Sequence, residues 1–151
     1  MWTLRPEERL REWFAFRKEI GQLPIEQACQ RTTEVWSYAP YVNHYLDPTG
    51  PSGLISWPDP WTLLYENCYC DLAKSLGMLY TLYLSEHQPQ DIKIIIATDY
   101  ESRMDYNLVS LCQGKYILNF NFATVVNKKQ LPLTLKIKHQ YTAEDLKINL
   151  Y

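Results

Sequence analysis

Two cysteines flank Tyr69 in the segment Asn67-Cys68-Tyr69-Cys70-Asp71, at the predicted start of a central helix. The free amides and dipole at a helix N-terminus stabilise a thiolate, so Cys68 and Cys70 are both candidate nucleophiles. A nucleophilic cysteine also needs a histidine that takes its proton and a third group that orients the histidine.

The chain contains three histidines, His44, His87 and His139. His87 lies at the far end of the same predicted helix, about 26 Å from Cys70 at 1.5 Å per residue, which is too far for proton transfer. His44 falls in a proline-rich loop and His139 at the end of a late strand, where a histidine is more often structural or solvated. An active enzyme would use Cys68 or Cys70 as nucleophile and His44 as base.

Other kinds of site are not supported by the sequence. A Cys-x-Cys pair can bind zinc, but no second pair of ligands follows it, so we expect no metal and no cofactor. The net charge of −2 is spread along the chain, which argues against binding to nucleic acid or to an anionic membrane. No apolar stretch approaches the roughly 20 residues of a membrane span, so we expect none. No charged-then-apolar leader opens the sequence, so we expect free thiols and no secretion by a signal peptide.

The elements that must position these residues follow the order of an α+β fold, with helices first and strands afterwards. The positions of prolines and acidic residues and the spacing of apolar residues predict four helices. These run over 6–21, from 24 to before Pro40, from Pro60 through Tyr65, and over about 68–87. Strands are predicted near 92–98, 106–112, 115–120, 123–126 and 133–139. We therefore expect one domain over 1–151, in which a helical part (1–40) and the central helix pack on a mostly antiparallel sheet.

Small residues form a stripe on the central helix, at Cys70, Ala73 and Gly77. Because small side chains permit close approach, we expect this stripe to lie directly against the sheet.

Aromatic residues make up 14% of the chain, including 12 tyrosines and 5 tryptophans. Such side chains offer large contact areas with a polar group attached, which suits protein interfaces. Within the proline-rich loop from Pro40 to Pro60, the interface candidates are Tyr41, Tyr45 and Trp57. For Trp57, packing in the core is the favoured interpretation.

The segment from Trp57 to Gly77 resembles the core of the transglutaminase-like, papain-type cysteine superfamily, and the resemblance extends over about residues 57–122. That family has a short helix followed by a helix with a Cys-x-Asp-x-Ala pattern, and Asp71-Leu72-Ala73 match its second half. The cysteine position of the pattern holds Tyr69, with cysteines on either side of it.

The strand region resembles the rest of that core. The family's histidine strand is similar to 105–111, where Asp105 or Tyr106 stands in the place of histidine. Its hairpin is similar to 114–119, where Asn119 stands in the place of aspartate. The resemblance implies a transglutaminase-like fold without a catalytic base, and therefore a pseudoenzyme.

Degenerate domains of this kind also resemble proteins of tailed bacteriophages. This implies a structural or assembly protein of a virion, in the tail or baseplate, whose partners are other protein subunits and whose location is the virion or otherwise the cytoplasm.

Two alternatives remain open. One is a cysteine hydrolase or acyltransferase with its thiol at the start of the central helix. The other is a toxin-like or effector-like enzyme with a cleft lined by Cys70, Asp105 and Asn119.

Overall fold

The fold combines a layer of helices with one antiparallel sheet. The computed structural model describes residues 1–43, 46–47 and 57–147. Within them, the helices are α1 (Pro6–Gly21), α2 (Ile25–Ser37), α3 (Pro60–Glu66) and α4 (Asp71–Tyr83). The strands are β1 (Lys93–Asp99), β2 (Met104–Leu111), β3 (Tyr116–Asn121), β4 (Thr124–Val126) and β5 (Leu135–Thr142), in the sheet order β4-β3-β2-β1-β5. The predicted α+β class is confirmed.

Local sequence signals account for several helix boundaries. The first turn of α1 contains Pro6 and two glutamates, and α3 begins at Pro60 after Asp59, whose carboxylate accepts a hydrogen bond from the Thr62 amide at 2.7 Å. The central helix is shorter than the predicted 68–87 range. It begins only at Asp71 because the preceding Tyr69 pairs with another backbone segment, and it ends at Tyr83.

A single buried hydroxyl joins three helices. The Thr81 hydroxyl on α4 accepts the indole N–H of Trp13 from α1 at 2.9 Å and that of Trp36 from α2 at 2.8 Å. It donates its own proton to the Gly77 carbonyl at 2.7 Å. All three side chains are fully buried, so this group satisfies donors that have no access to water.

Gly77 brings α2 and α4 into close contact. A β-carbon at this position would overlap the ring of Trp36, so the helices could not pack as they do with any larger residue. The expectation that the stripe of small residues lies against the sheet is therefore wrong at Gly77, where it receives the largest side chain of a neighbouring helix.

A buried arginine fastens α1 to the end of α3. The Arg9 guanidinium donates to the carbonyls of Leu64 at 2.6 Å and Tyr65 at 2.8 Å, and to that of Leu4 at 2.5 Å. A cation near helix C-terminal carbonyls is favourable, which compensates for burying this charge.

The two faces of the sheet belong to separate apolar clusters. Ile94, Ile96 and Val109 face the helices and join the main core, whereas Ile95, Ala97 and Leu108 face the opposite side. Residues of the crossing segment that leads from β4 to β5, including Leu131, pack against the second cluster. Among the described residues, no helix is long and apolar enough to cross a membrane.

We predict that Thr81→Val lowers the free energy of unfolding by about 2 to 5 kcal/mol, because it leaves two buried indole N–H groups without an acceptor. Thr32→Val is the matched control. The Thr32 hydroxyl is equally buried but donates only to the Ala28 carbonyl, so we expect a loss of about 1 kcal/mol. Urea unfolding of both variants measures the difference, and equal losses would contradict the role assigned to Thr81.

Candidate active-site cleft

The N-terminus of α4 is held in place by the chain that precedes it. Asn67 ends α3 in the left-handed conformation, with φ 55° and ψ 40°, and its side-chain amide donates to the Trp2 carbonyl at 2.9 Å. Tyr69 then forms a parallel bridge with Tyr41, in which the Val42 amide donates to the Tyr69 carbonyl at 3.0 Å. This backbone pairing delays the start of the helix to Asp71.

Tyr69 points into the core. Its ring packs edge to face with Trp2 and Trp36, at centroid distances of 5.3 and 5.2 Å, and it is fully buried. Burial raises the pKa of its phenol, and its hydroxyl has no hydrogen-bond partner among the described residues. Tyr69, which the sequence resemblance places at the cysteine position of the family's pattern, is therefore a packing residue.

A cleft of about 530 Å³ opens beside the start of α4. It lies between that helix, strands β1, β2 and β5, and the segment that contains Tyr41. Its described lining consists of Tyr41, Asn43, Leu46, Cys70, Asp71, Leu72, Ile96, Thr98, Asp105, Asn107, Lys138 and His139.

A network of amides and one carboxylate connects α4 to the sheet next to this cleft. The Asp71 carboxylate accepts hydrogen bonds from the side-chain amides of Asn107 on β2, at 2.8 Å, and of Asn119 on β3, at 3.2 Å. The Asn119 amide also lies 2.7 Å from the Ser75 hydroxyl and 2.9 Å from the Asn107 carbonyl, and the Ser75 hydroxyl donates to that carbonyl. Asn119 has a φ of 67°, a conformation that asparagine tolerates better than most residues.

The structure brings together some of the predicted catalytic candidates. Cys70 is the N-cap residue of α4, only 7% exposed, and it lines the cleft. Asp105 also lines the cleft, where it accepts a hydrogen bond from the Thr98 hydroxyl at 2.7 Å. Asn119 lies in the Asp71 network, and Cys68 is half-buried outside the described lining. His44 lies outside the described residues.

The two interface candidates that the structure describes differ in exposure. Tyr41 is 61% exposed and forms part of the cleft rim. Trp57 is 6% exposed; its ring packs on Tyr141 and its indole N–H donates to the Asp47 carbonyl at 2.9 Å, so its side chain belongs to the core. Tyr45 lies outside the described residues.

The cleft contains Asn107, which was not a sequence candidate, and His139, for which the sequence favoured a structural or solvated role. Asn107, and not Tyr106, is the β2 side chain that reaches the first residue of α4, because Tyr106 points to the other face of the sheet and packs on Phe120. His139 reaches the cleft from β5, where it pairs with Ile96 of β1. The alternation of buried apolar residues along β2 could have identified Asn107, whereas nothing local places His139.

The remaining cysteines, Cys29 and Cys112, are not part of the described cleft lining. Burial raises the pKa of Cys29 to about 12, and burial together with the nearby Asp91 raises that of Cys112. All four cysteines are free thiols. Within the described part of the chain, no three His, Cys, Asp or Glu side chains are grouped so that they could hold a metal ion.

We predict that Tyr69→Phe leaves the free energy of unfolding unchanged or raises it by up to about 1 kcal/mol, because it removes a buried hydroxyl without a partner. Tyr69→Cys, which introduces the residue of the resembled pattern, is expected to lower it by about 3 kcal/mol or more through the cavity it leaves. Thermal and urea unfolding of the two variants test this pair of effects. A stable Tyr69→Cys protein would show that the position is not a packing position.

No family model matches the sequence, and no curated protein matches it. Solved structures do. Calcium-bound LapG of Legionella pneumophila superposes with a TM-score of 0.73 at 13% identity, over 94% of this chain and 78% of that one. Another structure of Legionella pneumophila LapG gives a TM-score of 0.71 at 14% identity, over 91% of this chain and 76% of that one. The protein therefore has the transglutaminase-like fold that LapG has.

Proposed function

We propose that this protein is a non-catalytic transglutaminase-like domain that acts through contacts with other proteins, as a structural or assembly component of a bacteriophage virion. The observation that carries the loss of catalysis is the pair of asparagines facing the start of α4. Asn107 and Asn119 are the residues that β2 and β3 present there, and both donate to Asp71.

The chemistry of these side chains supports this proposal. The amide of an asparagine neither accepts a proton from a thiol nor returns one to a leaving group, so Asn107 cannot act as the general base of a cysteine nucleophile. Asn119 could orient a histidine, but its amide is directed at Asp71, Ser75 and the Asn107 backbone instead. The polar groups thus tie α4 to the sheet and leave no proton relay among themselves.

Exposed aromatic residues support a function in protein contacts. Tyr38 and Phe122 are 68% and 64% exposed and pack edge to face with ring centroids 5.0 Å apart. The turn after Phe122 is fixed to α2, because the Ala123 amide donates to the Ser37 hydroxyl at 2.9 Å and the Gln30 side chain donates to the Ala123 carbonyl at 3.0 Å. Rigid, exposed aromatic pairs are favourable contact sites because little conformational entropy is lost on binding. The assignment to a phage virion rests on the sequence resemblance.

One of the LapG structures is calcium-bound. In the described residues of this chain, no three His, Cys, Asp or Glu side chains are grouped so that they could hold a metal ion.

A second candidate function is that of a cysteine hydrolase or acyltransferase, and one observation favours it. Cys70 and His139 line the same cleft, so a thiol and an imidazole face a common space. In this mechanism His139 would take the proton from the Cys70 thiol, and the resulting thiolate would attack a carbonyl carbon to form a tetrahedral adduct. Collapse of the adduct would break the bond to the leaving group, which would take the proton from His139, and water or another nucleophile would then release the acyl group from Cys70.

The two functions predict different thiol chemistry. For the non-catalytic domain, we expect iodoacetamide to modify no cysteine of the folded protein faster than a free thiol at pH 6.5, and Cys29 to react only after unfolding. Mass spectrometry of tryptic peptides after timed labelling measures this for each cysteine. Rapid labelling of Cys70 that slows in His139→Ala but not in the control His87→Ala would overturn the proposal in favour of the enzyme.

The structural role has its own test. Mass spectrometry of gradient-purified virions of the encoding phage should detect the chain at a fixed ratio to the major tail proteins. Its presence only in the soluble fraction of infected cells would argue against a virion component.

A further inference from the structure

Strand β5 forms one edge of the sheet. It pairs with β1 on one side, and within the described residues no strand pairs with its other side. Its five central residues, from 136 to 140, are all exposed, and Ile137 is about half exposed. A long exposed edge presents a row of backbone donors and acceptors that another extended chain can pair with.

The charged side chains of β5 are both positive. Lys136 and Lys138 lie on β5, and in the described part of the chain the only cations with a carboxylate within 4.0 Å are Arg5 and Arg31. Asp99 and Asp105 of the sheet accept hydrogen bonds from neutral hydroxyls, those of Ser102 and Thr134 on Asp99 and that of Thr98 on Asp105. Within the described residues, the two lysines therefore have no ion-pair partner.

A β-bulge separates the lysines into two environments. Ile96 of β1 pairs with His139 and Ala97 pairs with Ile137, so Lys138 is the extra residue of β5 at this point. Lys138 lines the cleft, whereas Lys136 lies 5.2 Å from the ring centroid of the exposed Tyr100. Positive charge thus extends along the edge from the end of the sheet to the cleft.

The same lysines favour one kind of added strand over another. If two copies of this chain paired through β5 about a two-fold axis near Ile137, lysines of the two strands would lie opposite each other, and like charges opposite each other destabilise strand pairs. A strand with glutamate or aspartate at these positions would gain attraction instead. The edge therefore disfavours a second copy and favours an acidic strand.

We propose that the edge of β5, which no described strand covers, accepts an extended, acidic segment of another protein as a sixth strand of the sheet. This inference rests on the proposed function in protein contacts and names the surface and the partner chemistry. Acidic side chains of that segment face Lys136 and Lys138, and an apolar residue of the segment packs on Ile137.

The probe that tests this is a fluorescein-labelled peptide of about ten residues that alternates valine and glutamate, with a control peptide that has lysine for glutamate. Fluorescence anisotropy should show binding of the acidic peptide only, weakened when salt rises from about 0.05 to about 0.3 M. The variant Lys136→Glu/Lys138→Glu should weaken binding by about tenfold or more. Lys128→Glu/Lys129→Glu, an equal change in net charge after β4 at the other edge of the sheet, should change it by less than about twofold.

Amide hydrogen exchange locates the contact. The β5 amides that point away from β1 should exchange rapidly in the free protein and become protected when the acidic peptide is added. Protection of these amides already in the free monomer, or in a dimer detected by analytical ultracentrifugation, would refute the proposal. Equal binding of the acidic and lysine peptides would refute it as well.

Different results would contradict this inference and the proposed function. If the chain is a virion component with unreactive thiols and β5 rejects the acidic peptide, only the edge assignment is wrong. If Cys70 proves to be a reactive, His139-dependent thiol, the proposed function is wrong whatever β5 binds.

Discussion

The hydroxyl of Thr81 is the group on which the helix layer depends. Two tryptophans that pack against the central helix from different directions both donate to this one oxygen, and each would otherwise bury an unpaired indole N–H. The pair of bonds fixes Trp13 of α1 and Trp36 of α2 relative to α4. Because Gly77, one turn earlier, leaves room for the ring of Trp36, close approach and hydrogen bonding are satisfied at the same place.

This arrangement also explains why Tyr69 is a packing residue. Trp36 packs on Thr81 with one edge and on Tyr69 with its ring, so the residue that precedes Cys70 belongs to the same aromatic cluster that orients the helices. A smaller residue at position 69 would remove one of the two aromatic rings that pack on Trp36. The side-chain amides of Asn107 on β2 and Asn119 on β3 both donate to Asp71 and so attach the start of the helix to the sheet.

Much of the fold could be predicted because its signals are local. Pro6 and the Asp59-Pro60 pair mark helix starts by their own chemistry, and the succession of helices and strands specifies the α+β class. The residues of the cleft were harder to predict, because they depend on the face of the sheet to which each side chain points. Asp105 and Tyr106 were the expected substitutes for histidine, yet the facing residue is Asn107, which shares its side of the strand with the buried Val109. The contact of Gly77 with Trp36 joins residues 41 positions apart, which no local pattern encodes.

The position of β5 connects the proposed contact surface with the cleft. His139 and Lys138 lie on the edge strand and also line the cleft beside Cys70, so a strand added to this edge would border the cleft and narrow access to the thiol. An enzyme must keep that entrance open for its substrate, whereas a domain that works by binding has no such requirement. For the proposed binding domain, the edge is available as a contact surface. The positive charge on that edge can then serve recognition, since it repels a second copy of the same strand and attracts an acidic one.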